Sequence, residues 1–231
     1  MNRFRYLGLI LIVIIFGVLF VPKIVDRIAN KTQVESNRSV PAKPLAYIKL
    51  NGEAKKAPSF LMLNQDSLMI SNEDFVGKVF LVEFFFTRCP TICPIMNKNM
   101  KILDDQFGAR ADFGIASFTI DPKHDTPSVL KEYAEGYDVF SQNWHFLTGD
   151  KEKIYTLANQ GFNIFASVNP RVEGGFEHQG YFAFIDKDGY ILSRADQFDN
   201  PIVYYMGIDQ EDVEVQEVDL LIEDIEKLLK E

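Results

Sequence analysis

The chain has 231 residues, of which 47% are hydrophobic and 13% aromatic, enough for one good-sized core with an appendage rather than two domains. Its formal net charge is −9, but six basic and two acidic side chains give residues 1–40 a charge of +4, which leaves −13 for the rest. A strongly acidic domain binds nucleic acid poorly, so we expect no nucleic-acid partner.

The first element is an uncharged apolar segment at residues 6–21, YLGLILIVIIFGVLFV, which follows two arginines. Its length lies at the lower edge of what spans a bilayer and at the upper edge of a signal-peptide core. No small-x-small cleavage site follows it, and no cysteine precedes Cys89 to carry a lipid, which excludes a lipoprotein. We therefore predict an uncleaved transmembrane helix within a membrane anchor of residues 1–29. Basic residues on both sides leave its orientation open.

The segment after the anchor, residues 30–45, is polar, contains two prolines and shows no apolar period. Such a composition predicts a flexible tether. The remaining residues, 46–231, show the alternating apolar patterns of a folded domain.

Apolar runs and helical periods alternate along this domain and predict an α/β fold. The predicted elements are a buried strand at 79–86, a helix from Pro94 to Gly108, a buried strand at 112–120, a helix at 127–137 capped by Thr126, a strand and turn at 144–150, a helix from Lys151 to Gly161, a hairpin of 181–186 and 190–195, and a helix at 215–231. Strand, helix, strand, helix, then a hairpin and a closing helix is a thioredoxin-like order.

The only two cysteines, Cys89 and Cys93, lie at the carboxyl end of the first predicted core strand, just before a helix. Open α/β sheets bind ligands at that edge, and a helix N-terminus favours thiolate over thiol. Alone the cysteines would form a redox pair, and with a third ligand they would form a metal site. Three residues separate them, one more than in a thioredoxin-type redox motif, which lets both sulfurs point at one ion. A buried apolar pair or a structural disulfide is the alternative.

Two thiolates suit copper(I) or zinc, and an imidazole would complete a three-coordinate copper(I) site. His124 lies in a charged loop, where histidines are usually solvated, and His145 stands beside the only tryptophan, where packing is expected. His178 lies in a glycine-bearing loop before the hairpin, which faces the cysteine motif in a thioredoxin-like fold. We expect His178 to be the third ligand; a histidine without a ligand role in a flexible loop is the alternative.

Four separated blocks, FFFTRCPTICPIM, TIDPKHDTPSVLKEYA, WHFLTGD and EHQGYFAFIDKDGYI, resemble the Sco/SenC family of copper-binding thioredoxin-fold proteins. The resemblance covers about residues 46–230 and extends to the N-terminal anchor that members often carry. It implies that Cys89, Cys93 and His178 hold copper, as Cu(I) or Cu(II), with Asp186 at the acidic or amide position that follows the histidine by eight residues.

The family also tends to carry an Asp-Pro-x-x-Asp-Thr block, which this chain matches at Asp121, Pro122, Asp125 and Thr126. We expect these aspartates to order the loop; support of the metal ligands is an additional role that stays open. One departure from the family is a longer segment at residues 198–214, which we expect to affect the choice of partner rather than the metal.

The resemblance implies a copper chaperone that helps to metallate the dinuclear copper site of cytochrome c oxidase. Its partners would be the copper-bearing subunit of the oxidase and a copper donor protein. The implied location is the inner (cytoplasmic) membrane, with a single span and the domain facing the periplasm. The first alternative is a membrane-anchored thiol-disulfide oxidoreductase with Cys89 and Cys93 as the catalytic redox pair. A peroxidase is a weaker alternative, because Thr87 and Arg88 do not form a recognised peroxidase motif with Cys89.

Overall fold

The computed structural model describes residues 13–22, 45–195, 198, 200–202, 204–213 and 215–230. The chain divides into two units, residues 1–39 and 40–231. In the first unit, residues 13–22 are helical (α1), and no helix within the described stretches is long and apolar enough to cross a membrane. The remainder of the predicted anchor and most of the predicted tether, residues 1–12 and 23–44, lie outside the described residues.

The second unit contains thirteen strands among its described residues. These are β1 Leu45–Tyr47, β2 Lys49–Leu50, β3 Glu53–Ala54, β4 Leu61–Leu63, β5 Met69–Ser71, β6 Val79–Phe85, β7 Phe113–Thr119, β8 Trp144–Leu147, β9 Ala166–Val168, β10 Phe176–His178, β11 Tyr181–Ile185, β12 Ile191–Arg194 and β13 Tyr205–Met206.

A central sheet with the order β1-β12-β11-β6-β7-β8 organises this unit, and β13 pairs with β11 beside that path. The β6, β7 and β8 strands run parallel, whereas β1, β12, β11 and β13 pair in antiparallel fashion. Every residue of β6 and β7 is buried, including Glu83, Ser117 and Thr119, as their mainly apolar sequences predict for strands covered on both faces. The predicted α/β class and the predicted hairpin of β11 and β12 are confirmed.

Four α-helices follow in the described part of this unit, and all except α4 begin and end close to their predicted bounds. They are α2 Cys93–Phe107, α3 Pro127–Gly136, α4 Lys151–Thr156 and α5 Glu217–Lys230. The buried face of α2 includes Met96, Met100, Leu103 and Phe107, which follow the helical period. Thr126 occupies the N-cap position of α3 as predicted, but its side chain makes no capping hydrogen bond.

The helix that begins at Lys151 differs from its prediction in its second half. After α4 the chain continues as a π-helix, Leu157–Phe162, and ends with Asn163 in the left-handed conformation at a φ of 55°. Gly161 therefore does not end the helix. A Cβ at Gly161 would lie 2.8 Å from Cγ of Pro58, so the glycine is explained by close packing.

One acidic side chain lies inside the sheet. Glu83 in β6 is fully buried and accepts a 2.7 Å hydrogen bond from the Ser117 hydroxyl, which in turn accepts a 2.8 Å bond from the Trp144 indole. Burial raises the pKa of Glu83 to about 7, against a smaller lowering by the Ser117 hydrogen bond. The parallel strands are therefore joined by side-chain as well as backbone hydrogen bonds.

Candidate metal centre

The cysteine motif forms the connection from β6 to α2, because the strand ends at Phe85 and the helix begins at Cys93 itself. Cys89 and Cys93 are free cysteines, 8% and 0% exposed. The backbone N–H of Cys93 donates to Sγ of Cys89 at 3.4 Å. The Cys89 sulfur thus receives one of the unpaired amides of the helix N-terminus, a position that stabilises a thiolate.

His178 is the last residue of β10, and its half-buried ring reaches the cysteine motif. Its Nε2 lies 3.1 Å from Sγ of Cys93, and its Nδ1 lies 3.1 Å from the carbonyl oxygen of Gln179. Since a carbonyl only accepts, Nδ1 carries the proton and donates it to Gln179. The Nε2 lone pair is therefore free to face the sulfurs.

The loop that precedes His178 packs directly on the cysteine motif. At Gly174, where φ is +83°, a Cβ would lie 3.0 Å from the Phe86 ring and 3.1 Å from Cδ of Pro90. A residue with a side chain would meet both a strained backbone and these neighbours. This close approach confirms that the glycine-bearing loop faces the cysteines.

The two sulfurs and the imidazole nitrogen form one cluster. The ligand atoms of Cys89, Cys93 and His178 all lie within 4.8 Å of one another, and this is one of two such groups in the described part of the chain. Two sulfurs and one imidazole nitrogen at this spacing match the preferences of a soft metal ion. The residues present therefore fit the metal that the sequence implies.

The two cysteines differ in acidity. Hydrogen bonding from the Cys93 side chain lowers the pKa of Cys89 the most, and hydrogen bonds from the backbone N–H groups of Cys93 and Thr91 add to this effect against burial. Burial raises the pKa of Cys93, and the Cys89 side chain beside it raises it further. Together with the Cys93 N–H that donates to Sγ of Cys89, these shifts favour a thiolate on Cys89 and a thiol on Cys93 in the metal-free reduced site.

This difference predicts selective alkylation at mildly acidic pH. Because hydrogen bonding lowers the pKa of Cys89 to about 3, well below the value of roughly 8.5 for a free thiol, Cys89 should react with iodoacetamide at pH 6 nearly as fast as at pH 8, while Cys93 stays unmodified. Mass spectrometry of the alkylated peptides measures both rates. Cys93→Ala removes the lowering side-chain hydrogen bond and should slow Cys89 at pH 6. Equal rates at the two cysteines, or a Cys89 rate that rises about tenfold per pH unit from 6 to 8, would contradict this assignment.

The other two histidines lie outside this cluster. Nδ1 of His145 is 3.3 Å from Nδ2 of Asn64, its ring stands edge-on to Phe75, and burial lowers its pKa. His124 contacts a carboxylate oxygen of Asp125 at 2.9 Å. Neither histidine is grouped with the cysteines, in agreement with the sequence-based expectation.

The aspartates of the Asp-Pro-x-x-Asp-Thr block hold the start of the cysteine loop. Buried Asp125 accepts hydrogen bonds from the backbone N–H and hydroxyl of Thr87 and from the hydroxyl of Thr119. Asp121 forms a 2.7 Å ion pair with Arg88. Asp121, His124 and Asp125 make the second potential metal group, but donors from the protein already occupy both oxygens of Asp125. This arrangement is that of a loop-ordering cluster, as the sequence predicts.

Asp186, the position eight residues after the histidine, has a local role in the hairpin turn. Its Oδ1 accepts hydrogen bonds from the backbone N–H groups of Asp188 at 3.0 Å and Tyr190 at 2.8 Å. It belongs to neither of the metal-ligand groups found among the described residues.

The segment 198–214, which the sequence suggests is longer than in the family, packs close to the site in the part that the structure describes. Its β13 strand pairs with the beginning of β11, and the Gly207 N–H donates to the Gly180 carbonyl at 2.7 Å. Asn99 of α2 donates to the Gly207 carbonyl at 3.0 Å and to Asp209 at 2.8 Å. The segment thus joins the cysteine helix to the chain two residues beyond the histidine, a role without a sequence signal.

These features define a mixed α/β protein of the thioredoxin-like class with a thiol and imidazole site at the start of a helix. The SCO1/SenC family model matches residues 49–211, more than half of the chain. The protein belongs to the SCO1/SenC family.

Comparisons with individual proteins agree with this assignment. The SCO1 protein homolog of Bacillus subtilis is 36% identical over 143 residues, which cover 61% of this chain and 74% of the relative. The structure of BsSco, described as a member of the Sco family of cytochrome c oxidase assembly proteins with a disulfide switch, matches with a TM-score of 0.59 and 31% identity over 75% of this chain and 93% of that one.

A third comparison is with Bradyrhizobium japonicum ScoI, whose structure was solved with copper bound. It matches with a TM-score of 0.58 over 76% of this chain and 99% of that chain, at 19% identity. At that identity the likeness shows the shared thioredoxin-like fold.

Proposed function

We propose that this protein is a membrane-tethered copper chaperone that assists metallation of the dinuclear copper site of cytochrome c oxidase. The copper is cargo, and Cys89, Cys93 and His178 would hold it. The observation that carries the proposal is the single group of two sulfurs and one imidazole nitrogen within 4.8 Å. Family membership supports it, as do the oxidase-assembly description of BsSco and the copper in the ScoI structure.

The donor set suits a cargo site for Cu(I). Thiolate and imidazole ligands select soft ions, and three ligands leave room for an incoming one. Transfer to client thiolates would be an exchange of ligands, with no change in the oxidation state of copper. Cys89 keeps 8% of its surface exposed and His178 is half-buried, whereas Cys93 is fully buried, so the client would approach from the side of Cys89 and His178.

The proposed location is the inner membrane, with the folded domain in the periplasm. The uncharged apolar residues 6–21 support an anchor, and the family resemblance implies a domain outside the inner membrane. A flexible tether would keep the domain near a membrane-bound oxidase subunit and raise its effective concentration there. The copper donor would be a second protein partner.

The anchor predicts a specific mature form. The protein isolated from cells should begin at or near residue 1 and sediment with membranes, because no cleavage site follows the apolar segment. N-terminal sequencing and fractionation measure this. Protease added to spheroplasts should digest the domain. A soluble protein that begins near residue 30 would show that the segment is a signal peptide.

A thiol-disulfide oxidoreductase is the second candidate, favoured by the two free cysteines and the acidity of Cys89. The Cys89 thiolate would attack a client disulfide and release one client thiolate. Cys93, after losing its proton, would then attack Cys89 in the mixed disulfide and release the second. Two electrons pass to the client, and a Cys89–Cys93 disulfide remains. This reaction needs no imidazole ligand.

His178→Ala separates the two functions. In cells that lack the native protein, the variant should fail to restore cytochrome c oxidase activity at limiting copper, because the cargo loses one of its three ligands. The purified variant should still reduce a model disulfide. His145→Ala is the matched control and should restore the oxidase. Full restoration by His178→Ala at limiting copper would reject the chaperone and favour the oxidoreductase.

A further inference from the structure

The hairpin that carries His178 is separate from the central sheet. β9 and β10 form a two-stranded sheet of their own, and among the described residues neither strand pairs with a strand of the main sheet. The backbone ladder of the main sheet reaches only Tyr181 of β11, three residues after His178, and does not include the histidine strand itself. Other contacts must hold the hairpin against the domain.

The Asn159 side chain makes one such contact, at the residue directly opposite the histidine. Ala166 is the Cα partner of His178 in the β9–β10 register. Asn159 Nδ2 donates to the Ala166 carbonyl and Asn159 Oδ1 accepts from the Ala166 N–H, both at 3.0 Å. A side-chain amide thus pairs with both backbone groups of Ala166, as a neighbouring strand would.

The backbone around Asn159 fixes the direction of this amide. Asn159 lies in the π-helix Leu157–Phe162, and its Nδ2 also donates to the Tyr155 carbonyl at 3.0 Å in the preceding α4. A π-helical turn inside a helix is rare and frequently marks a functional position. Tyr155 is in turn held by a 2.9 Å hydrogen bond from its hydroxyl to the Ile120 carbonyl. A chain of contacts therefore leads from the main sheet to the histidine hairpin.

We propose that Asn159 is the positioning residue that sets His178 against the two cysteines. It does not touch the copper. It fixes Ala166, and through the strand pair it fixes the backbone of His178, so that Nε2 meets the sulfurs without further rearrangement. This inference rests on the proposed copper function and adds to it a residue that no ligand motif identifies. Hydrogen-bond partners outside the ligands are known to control metal affinity in this way.

The test is a double-mutant cycle on the full-length reduced protein in detergent, with Cu(I) affinity measured by competition with a chromogenic chelator. Asn159→Ala should lower the affinity by about 10- to 100-fold, the usual effect of losing an outer hydrogen-bond partner. In a His178→Ala background the same change should alter the affinity by less than about twofold, because no imidazole remains to be positioned.

A matched control is Asn143→Ala. Asn143 Nδ2 also bonds two backbone carbonyls, those of Gly108 and Arg110 at 3.0 Å each, but Asn143 lies just before β8 and outside the copper group. Its replacement should change Cu(I) affinity by less than about twofold. If Asn159→Ala does not fold, Asn159→Asp keeps the acceptor for the Ala166 N–H and removes both donors, and it should show a loss of the same sign.

The outcomes distinguish the positioning role of Asn159 from the copper-binding role of His178. An equal loss from Asn159→Ala with and without His178 would overturn the positioning role, since the effect would then reach copper by another route. A large loss from His178→Ala with none from Asn159→Ala would also overturn it, but would leave the copper site in place. If His178→Ala alone causes no loss of Cu(I) affinity, both the positioning role of Asn159 and the proposed copper site would be overturned.

Discussion

Cys93→Ser should abolish tight Cu(I) binding. The change removes one of three ligands and replaces a soft sulfur with a hard hydroxyl oxygen that stays protonated. Loss of an outer hydrogen-bond partner typically lowers metal affinity by roughly 10- to 100-fold. The Cu(I) affinity of Cys93→Ser should fall by at least about ten times more than that. Metal analysis of the reduced full-length protein after desalting should fall from one copper per chain to nearly none.

His124→Ala and His145→Ala are the controls for this experiment. Each removes an imidazole that lies outside the group of Cys89, Cys93 and His178. Both variants should keep about one copper per chain. Unchanged copper content in Cys93→Ser, or a loss as large in His145→Ala, would contradict the assignment of the site.

Oxidation of Cys89 and Cys93 should lower the Cu(I) affinity about as much as Cys93→Ser does. Formation of a disulfide from the Cys89 thiolate and the Cys93 thiol passes two electrons and one proton to an added oxidant such as diamide, which takes its second proton from water. It removes both sulfur ligands from the site. The two sulfurs already lie within 4.8 Å of each other, so closing the bond to about 2.05 Å needs only a small movement. His178 then remains as one neutral imidazole, which binds Cu(I) weakly.

Comparing one protein sample before and after treatment with diamide tests this loss of Cu(I) affinity. The oxidised protein should lose most of its Cu(I) affinity and regain it after reduction with dithiothreitol and removal of the reductant. Copper content after gel filtration gives the measurement, and alkylation followed by mass spectrometry confirms the state of the cysteines. Equal copper content in the two states would show that other residues bind the metal.

The sequence predicts the main elements because their signals are local and strong. β6 and β7 are continuous apolar runs, and α2 is a periodic stretch with a proline near its start and a glycine after its end. These two patterns alone place Cys89 and Cys93 at the carboxyl edge of the sheet. The role of His178 follows from its place before the hairpin and from the family resemblance.

The parts that escape prediction depend on contacts between distant residues. β9 and β10 are three residues long, and β10 contains a glutamate and a histidine, so neither has a clear strand pattern. The π-helix at Leu157–Phe162 reads as ordinary helix in the sequence. The role of Asn159 appears only when the strand register shows that Ala166 lies opposite His178. Thr87 is likewise explained only by its bonds to Asp125, 38 residues away.

The central claim is that two sulfurs and one imidazole nitrogen hold one copper ion. X-ray absorption at the copper edge of the reduced, Cu(I)-loaded full-length protein tests it most directly. We expect two sulfur scatterers and one imidazole, with the imidazole signal absent in His178→Ala and retained in His145→Ala. A sulfur-only environment, or an imidazole signal that survives in His178→Ala, would contradict the claim.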